Sequence, residues 1–521
     1  MKPAFPCRRR PDRRARQRAC GVLLATTLLA GCMVGPDYHR PAAIQPVRLK
    51  EMAPPPGWVM ANPHYAELPK GAWWALYDDP VLNGLEAQVD ISNQNVKAAE
   101  AAYRQARALV DQTRSGLFPS ASVTPSITRT GNGVGGTSST IGTGFGTGSV
   151  STGNQIDITN YSLGGSADWQ LDVWGQIRRQ VESSVAAAQV SAANLANARL
   201  SAQTTLASDY FQLRYQDSLQ TLLNQFVAFY EQSATITRNQ YNAGIAAPSD
   251  LLQAETLVAQ TRAQAASVGI DRSLFEHAIA VLTGHAPTDL SLPPGALTPR
   301  IPAIPVTLPS LLLQRRPDIA AAERSMEQEN ALIGAAIAAF YPVISLSAAA
   351  SYAGNPIGSL IQAANRTWSL GATAVQTLFA GGERTAVVRS TRAAFDESVA
   401  NYRQTVLGAF QGLEDQLSTL RILEQEADAQ KQAVDLANES VTVALNQYEA
   451  GTAIYTTVIT TQTTALTNAE TALGIQENRM TSSVALINVL GGGWDTSELP
   501  SKNSLQVDNP FLPAFIQPDR N

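Results

Sequence analysis

The residue types that carry chemistry are few in this chain, and they are scattered. Four histidines, His39, His64, His277 and His285, fall into no HExxH run and no two-histidine-one-carboxylate spacing. Three cysteines, Cys7, Cys20 and Cys32, all lie in the first 32 residues, so neither a disulfide framework nor a thiolate zinc site can serve the remainder. The glycines Gly131, Gly133, Gly135 and Gly136, followed by Gly142, Gly144, Gly146 and Gly148, imitate a phosphate-binding loop. Such a loop needs a following Lys-Ser/Thr and a helix, but no lysine occurs between Lys97 and Lys431 and a strand pattern follows. The expectation is a chain with no catalytic residues, no metal and no cofactor.

Cys32 is the one side chain whose setting implies a reaction. Residues 8–18 are arginine-rich, and Gly21–Ala30 is an uncharged, mostly apolar stretch of ten, the layout of a secretory signal and too short to span a bilayer. It ends in Leu29-Ala30-Gly31-Cys32, which resembles the bacterial lipobox, where the thiol receives a diacylglyceryl group and the cleaved chain begins at that cysteine. Met33 rather than aspartate follows, which by analogy with bacterial lipoproteins favours the outer membrane. Several acyl chains on Cys32 would hold the protein stably to lipid.

Composition narrows the partners. Only 16% of residues are charged, against about 25% in ordinary domains, and 44% are hydrophobic. The net charge of -5 conceals eight basic residues and one acid before residue 32; the remainder carries -12, which excludes a nucleic-acid partner.

The elements that must position any site come in two copies. Asn239–Gly244 (NQYNAG) returns as Asn446–Gly451 (NQYEAG) at an offset of 207, Leu117-Phe118-Pro119 as Phe340-Tyr341-Pro342 at 223, and Trp174-Gly175 as Ala380-Gly381 at 206. The organisation expected is a signal peptide (1–31), then an N-terminal anchor and equatorial segment (32–81). Repeat one comprises a helix (82–115), a β-hairpin with a Gly-rich loop (116–175) and a helical hairpin (176–284). A Pro-rich connector (285–316) leads to repeat two: a helix (317–339), a β-hairpin (340–381) and a helical hairpin (382–492), with a tail over 493–521.

Gln176–Ala243 and Glu383–Ala450 are each 68 residues without a proline, enough for helices of roughly 100 Å. Val181, Val185, Ala188, Ala192, Leu195, Ala202, Leu206 and Leu213 keep a 4-3 spacing, which implies coiled-coil packing. Opposite each long helix a shorter pair should run back: Asp250–Gly284 with Pro317–Ala339, and Thr457–Leu490 with Leu82–Ser115.

Between helices the period drops to two. Leu163, Gly165, Ala167, Trp169, Leu171 and Val173 alternate with Ser162, Gly164, Ser166, Asp168, Gln170 and Asp172; Ile344–Tyr352 and Trp368–Ala374 behave alike, and a further strand is expected near Ser120–Arg129. Strands of about ten residues fit a transmembrane barrel, in which Trp169, Leu171, Val173 and Trp368 would face lipid. Four strands cannot close one, and an open edge in lipid leaves backbone groups unpaired. Copies must pool their strands, and three would give twelve.

These residues resemble the outer membrane factor family, the TolC-like exit ducts of bacterial efflux and type I secretion, in its lipoprotein branch. The resemblance rests on Cys32 with Val34–Pro41 (VGPDYHRP); on Trp73-Trp74, Asp79-Pro80 and Leu82; on Gln314–Ala320 (QRRPDIA) with Ala322-Glu323; and on the doubled Tyr-x-x-Gly turns. Within the motif Arg315-Arg316-Pro317-Asp318, proline and aspartate also read as a helix start. The resemblance implies a mixed α+β membrane protein: a homotrimer with a 12-stranded barrel in outer-membrane lipid and a long antiparallel coiled-coil tunnel in the periplasm. A periplasmic adaptor and an inner-membrane pump would be its partners, and it would serve as a passive duct for small toxic molecules. A duct for type I protein secretion is the alternative. The family's gate lies where the helices turn, here near Ala243–Asp250 and Ala450–Thr461. Thr456, after Tyr455, stands where relatives carry an apolar constriction, and Thr460 where they carry an acidic ring. Asp250, on the opposite turn, either restores negative charge to the tip or caps the helix from Leu251.

Overall fold

In the computed structural model, residues 33–42, 50–51, 71–131, 157–298, 300–302, 304 and 315–505 are described. Cys32, His64, the signal segment, most of the Gly-rich loop, the end of the connector and the last sixteen residues lie outside them. Among the described residues seven α-helices and four strands follow in the order α1 (Pro80–Ser92), α2 (Gln94–Ser115), β1 (Ser120–Gly131), β2 (Asp157–Leu171), α3 (Gln176–Asn242), α4 (Pro248–Leu282), α5 (Pro317–Ala338), β3 (Val343–Gly354), β4 (Arg366–Val375), α6 (Glu383–Glu449) and α7 (Tyr455–Val489).

Helix starts follow the local chemistry. Asp79 Oδ1 accepts from the backbone of Val81 (2.9 Å) and Leu82 (3.1 Å), and Pro80 takes the first helical position, where its missing N–H is no loss. The expected Leu82–Ser115 helix is broken at Asn93. Its extended backbone ends α1, its side chain accepts from Asn95 and Val96 to begin α2, and its amide donates to Leu282 O at the far end of α4. A short side chain that competes for backbone groups thus turns one helix into two.

The Arg-Arg-Pro-Asp run also begins a helix and does more. Pro317 is the first residue of α5, and Asp318 lies in its first turn. The Arg316 guanidinium donates to both Asp318 oxygens (3.0 and 2.6 Å) and to Val489 O (2.7 Å), which satisfies a carbonyl at the end of α7. Gly491, left-handed at φ 89°, brings the chain so close to Arg315 O that a β-carbon would lie 1.9 Å from it.

The strands form one antiparallel meander, β1-β2-β3-β4. Leu163, Gly165, Ala167, Trp169 and Leu171 sit opposite Tyr352, Ala350, Ala348, Leu346 and Ile344, and these in turn reach Trp368, Leu370, Ala372 and Ala374. That face is therefore apolar along most of its length, with Arg366 opposite Tyr352 and Arg129 opposite Thr159 at one end of the sheet. The other is laced by hydroxyls, with Ser122–Ser166 at 2.9 Å, Ser126–Ser162 at 2.7 Å and Ser351–Thr367 at 2.7 Å. Trp169 is 38% exposed and Trp368 69%, while Leu171 is half-buried. Val173 does not join them. The strand ends at Leu171, and Val173 sits in the bend that turns the chain into α3, its N–H donating to Leu171 O (3.0 Å). Trp174, in the same bend, stacks on Tyr341 (4.8 Å) and donates to Pro342 O (2.9 Å).

The two halves present their elements in the same order, and the sequence match between them shifts by one residue. Ser120 pairs with Asp168 as Val343 pairs with Val375, and the long helices begin at Gln176 and Glu383, each after a left-handed glycine, Gly175 and Gly382. The offset is therefore 207 already at the bend, and Trp174 corresponds to Gly381. Matching on one glycine out of the Gly381-Gly382 pair had shifted it by one.

Both long helices have 67 residues. The spacing-derived seam holds for Val185, Ala188, Ala202, Leu206 and Leu213, all buried in α3. Helix α4 runs along one half of α3, and α5 along the other. Helix α7 lies against α6 as expected, but α2 packs on α3 rather than α6, and α5 spans the gap between the long helices. At the waist, connector residues 285–298 are pinned to α3. Asp217 accepts from Arg214 (2.9 Å), Arg272 (2.7 Å) and the Gly295 N–H (2.9 Å), while Arg214 donates to Pro293 O (2.8 Å) and Arg272 to Leu292 O (2.6 Å).

The N-terminal strap is fixed just as firmly. Arg179, 1% exposed, donates to Val34 O (3.3 Å), Gly35 O (3.2 Å) and Asp37 (2.9 Å). Val34 N donates to Trp174 O (3.2 Å), so the residue after Met33 is tied to the base of β2.

Candidate functional site

The two helical hairpins turn by the same device. Gly244 (φ 77°) and Gly451 (φ 72°) end α3 and α6 in the left-handed region; Ile245 N then donates to Gln240 O (2.8 Å) and Thr452 N to Gln447 O (2.9 Å). Such a glycine-capped end satisfies the last carbonyls while reversing the chain.

The gate candidates divide on burial. Tyr455 does not line a surface: at 2% exposure it packs on Tyr448 (5.1 Å), in a core with Leu223, Tyr230, Ala254 and Val458. Burial, with the Asp250 charge adding to it, holds its phenol above the usual range. Burial raises both Tyr448 and Tyr455, which flank the second turn, and the charge of Asp250, on the first turn, adds to it. Asp250 caps nothing. Helix α4 starts at Pro248 after Ala247, which puts Asp250 inside the first turn, where its charge complements the helix dipole. Proline sets the start three residues earlier than an aspartate cap would.

Thr456 and Thr460 are exposed, and the Thr460 hydroxyl donates to Thr456 O (2.9 Å). Sequence reasoning stopped there, but the pattern continues along α7. Thr463, Thr464, Thr467 and Thr471 are also exposed, and each donates to the carbonyl four residues back at 2.8, 2.8, 3.0 and 2.8 Å. With the donor engaged, the stripe offers only methyl groups and acceptor lone pairs to solvent. The signal was present, since no charged residue occurs between Glu449 and Glu470. Behind the stripe, Gln462 locks α7 to α3, its side-chain amide donating to Ser233 Oγ (2.8 Å) and its backbone carbonyl accepting from the Tyr230 hydroxyl (3.1 Å). Ile245 (77% exposed) and Ile454 (72%) cap the tip.

Among the described residues no group of acids, histidines or cysteines could hold a metal ion, and no helix is long and apolar enough to cross a membrane. The surface suited to lipid is the apolar face of the sheet.

Comparison with known proteins agrees with this architecture. The family model described as outer membrane efflux protein matches residues 87–285 and 308–492. The probable efflux pump outer membrane protein TtgC of Pseudomonas putida is 28% identical over 486 residues, which cover 93% of this chain and 97% of that protein. Nodulation protein T of Rhizobium leguminosarum bv. trifolii is 27% identical over 483 residues, 90% of this chain and 96% of that one. The solved structure of the outer-membrane channel OprN superposes with a TM-score of 0.78 at 28% identity, covering 89% of this chain and all of that one. A sheet with one lipid-like face, paired helices of 67 residues and a family match across both repeats lead to one conclusion: the chain belongs to the outer membrane efflux protein family.

Proposed function

We propose that three copies of this chain close a 12-stranded barrel in the outer membrane and continue it as a helical tunnel through the periplasm. The assembly is a passive, gated duct for small toxic compounds. An inner-membrane pump supplies the energy and a periplasmic adaptor joins the two. The observation that carries this reading is the four-stranded sheet with one apolar face, one hydroxyl face and two outer strands lacking a partner on their far edges among the described residues. In lipid, each unpaired backbone group costs several kcal/mol, so closure must come from other copies. Four is even, so β4 of one copy meets β1 of the next antiparallel. A diacylglyceryl group on Cys32 adds a lipid anchor, and the strap from Val34 to the base of β2 sets that anchor beside the barrel. Replacing it, Cys32→Ser, is expected to abolish incorporation of labelled fatty acid; undiminished labelling would refute the anchor.

The gate follows from the tip. Thr456 and Thr460, repeated three times, ring the passage with hydroxyls, of which the Thr460 donor is engaged by Thr456 O, so these side chains bring no fixed charge to the constriction. Substituting Thr460→Asp is expected to shift the reversal potential in planar bilayers toward cation selectivity. Identical selectivity in both proteins would discard the ring.

A further inference from the structure

The repeat that organises one chain also specifies how two chains meet. Strands β1 and β3 correspond at an offset of 223, and β2 and β4 at 207, as the paired registers show. Local contacts obey the same offsets: Trp169 donates to Leu117 O (3.0 Å) in the first hairpin, and Gln376 to Phe340 O (2.9 Å) in the second. Where the first hairpin joins the second, Leu171 lies opposite Ile344 and Trp174 stacks on Tyr341 (4.8 Å). Among the described residues no third hairpin follows β4 to receive the equivalent residues. The two most exposed large hydrophobic side chains among the described residues stand there, Leu378 at 93% and Phe379 at 88%.

We infer that β4 of one copy pairs with β1 of the next in the register the repeat dictates. Leu378 then lies opposite the partner's Ala121, Ala374 opposite the partner's Pro125, and Ala372 opposite the partner's Ile127. The Leu378-Phe379 corner is covered by the partner's Leu117-Phe118-Pro119 run, the counterpart of Phe340-Tyr341-Pro342. This rests on the ring-closure reading above and adds the seam to it.

Three observations meet in this register. It joins Leu378 to the partner's Ala121, Ala374 to the partner's Pro125 and Ala372 to the partner's Ile127 across the boundary, with Gln376 opposite the partner's Val123 and Leu370 opposite the partner's Arg129 the two mixed pairs, whereas a slip of one residue would carry serines and threonines to the lipid face. It explains why β4 is the shortest strand: it stops at Val375, opposite Val343, the first residue of β3, and a neighbour reaching Ala121 would extend it by three residues to Leu378. It also accounts for Phe379. Gly381 stands where the first repeat has Trp174, so the ring that covers the next strand's aromatic corner must come from another position. Phe379 corresponds to Asp172, which accepts from Ile177 N and Arg178 N at the start of α3 (both 2.9 Å); the second repeat replaces that cap by an apolar side chain. Its target, Phe118, is 42% exposed.

Cysteine pairs in the full-length protein, oxidised in isolated membranes, test the seam. Leu378→Cys with Ala121→Cys, and Ala372→Cys with Ile127→Cys, are expected to give disulfide-linked dimers and trimers, while each single variant stays monomeric on a non-reducing gel. Directly opposite residues meet the distance a disulfide needs, so Ala374→Cys with Ile127→Cys, two residues out of register, should link about tenfold less. A third pair, Phe379→Cys with Phe118→Cys, reports the corner. If native mass measurement finds three copies but only the out-of-register pair links, or neither in-register pair does, the seam is overturned and the trimer stands. If the strand pairs link and the corner pair does not, lipid rather than the neighbour covers Phe379, and that part fails. A monomeric mass would remove the ring itself.

Discussion

Replacing Asp217 with alanine is expected to free the equatorial connector from the helices and to lower stability by about 3–5 kcal/mol, the range for removing one partner of a buried ion pair. Its carboxylate side chain is 3% exposed and serves three partners: the Arg214 and Arg272 side chains and the Gly295 N–H. Without it, Arg214, itself 6% exposed, keeps only Pro293 O and the face of Tyr210, whose ring centroid lies 4.8 Å away. Gly295 packs too tightly to adjust, since a β-carbon there would lie 2.9 Å from the Arg214 guanidinium. Asparagine retains an acceptor for Gly295 but not the charge, so Asp217→Asn should fall between. Thermal melting of detergent-solubilised protein measures the loss, and limited proteolysis locates it. New cleavage should fall within residues 285–298; a loss of stability with the connector still protected would contradict the clamp.

The second large effect concerns Glu86, and its sign is opposite. Glu86 sits on the inner face of α1 with Leu82, Leu85 and Val89, fully buried, and neither carboxylate oxygen has a hydrogen-bond partner. Burial, and to a lesser extent the Asp90 charge, pushes its pKa up to about 9. In the folded protein the group is thus neutral at pH 7, whereas in the unfolded chain it ionises above the ordinary value of about 4.5. Both forms are protonated below that value and nothing is lost. As pH rises from about 4.5 toward 9 the unfolded state gains by releasing its proton, and the fold is progressively destabilised, by about 3 kcal/mol at pH 7. Glu86→Gln, which cannot ionise, should remove that slope. The variant should match the wild type near pH 4.5 and melt higher at pH 7–8. Parallel pH profiles for the two proteins would show that Glu86 is charged in the fold. Glu86→Met should add to the gain, because it also removes the unpartnered oxygens.

These two residues show where the sequence stopped being legible. Glu86 and Asp217 look like any other acids in helices with mixed surfaces; only packing reveals one as a neutral core residue and the other as the centre of a three-way clamp. Tyr455 was legible as part of a turn motif, but whether it faced the passage or the core depended on where Tyr448 and α3 came to lie. Asp250 read as a helix cap before it read as a charge at the tip, and Pro248 decided the helix start. The threonine stripe was visible in part: its chemistry at Thr456 and Thr460 is local, whereas its length needed the helix axis to show which residues share a face.

The sequence by itself determined everything that depends on period and on near neighbours. Two proline-free stretches became helices of 67 residues, alternating residues became strands with one apolar and one hydroxyl face, and glycine and proline punctuated the turns where φ demanded them. Only the tertiary structure decided which helix lies on which, that Asn93 divides a helix to reach Leu282, that Val173 leaves the strand, and that the repeats align one residue away from the obvious glycine match. The reason is one of range. A backbone period is set within a few residues, whereas burial, protonation and register are set by chain segments brought together from tens to hundreds of residues apart.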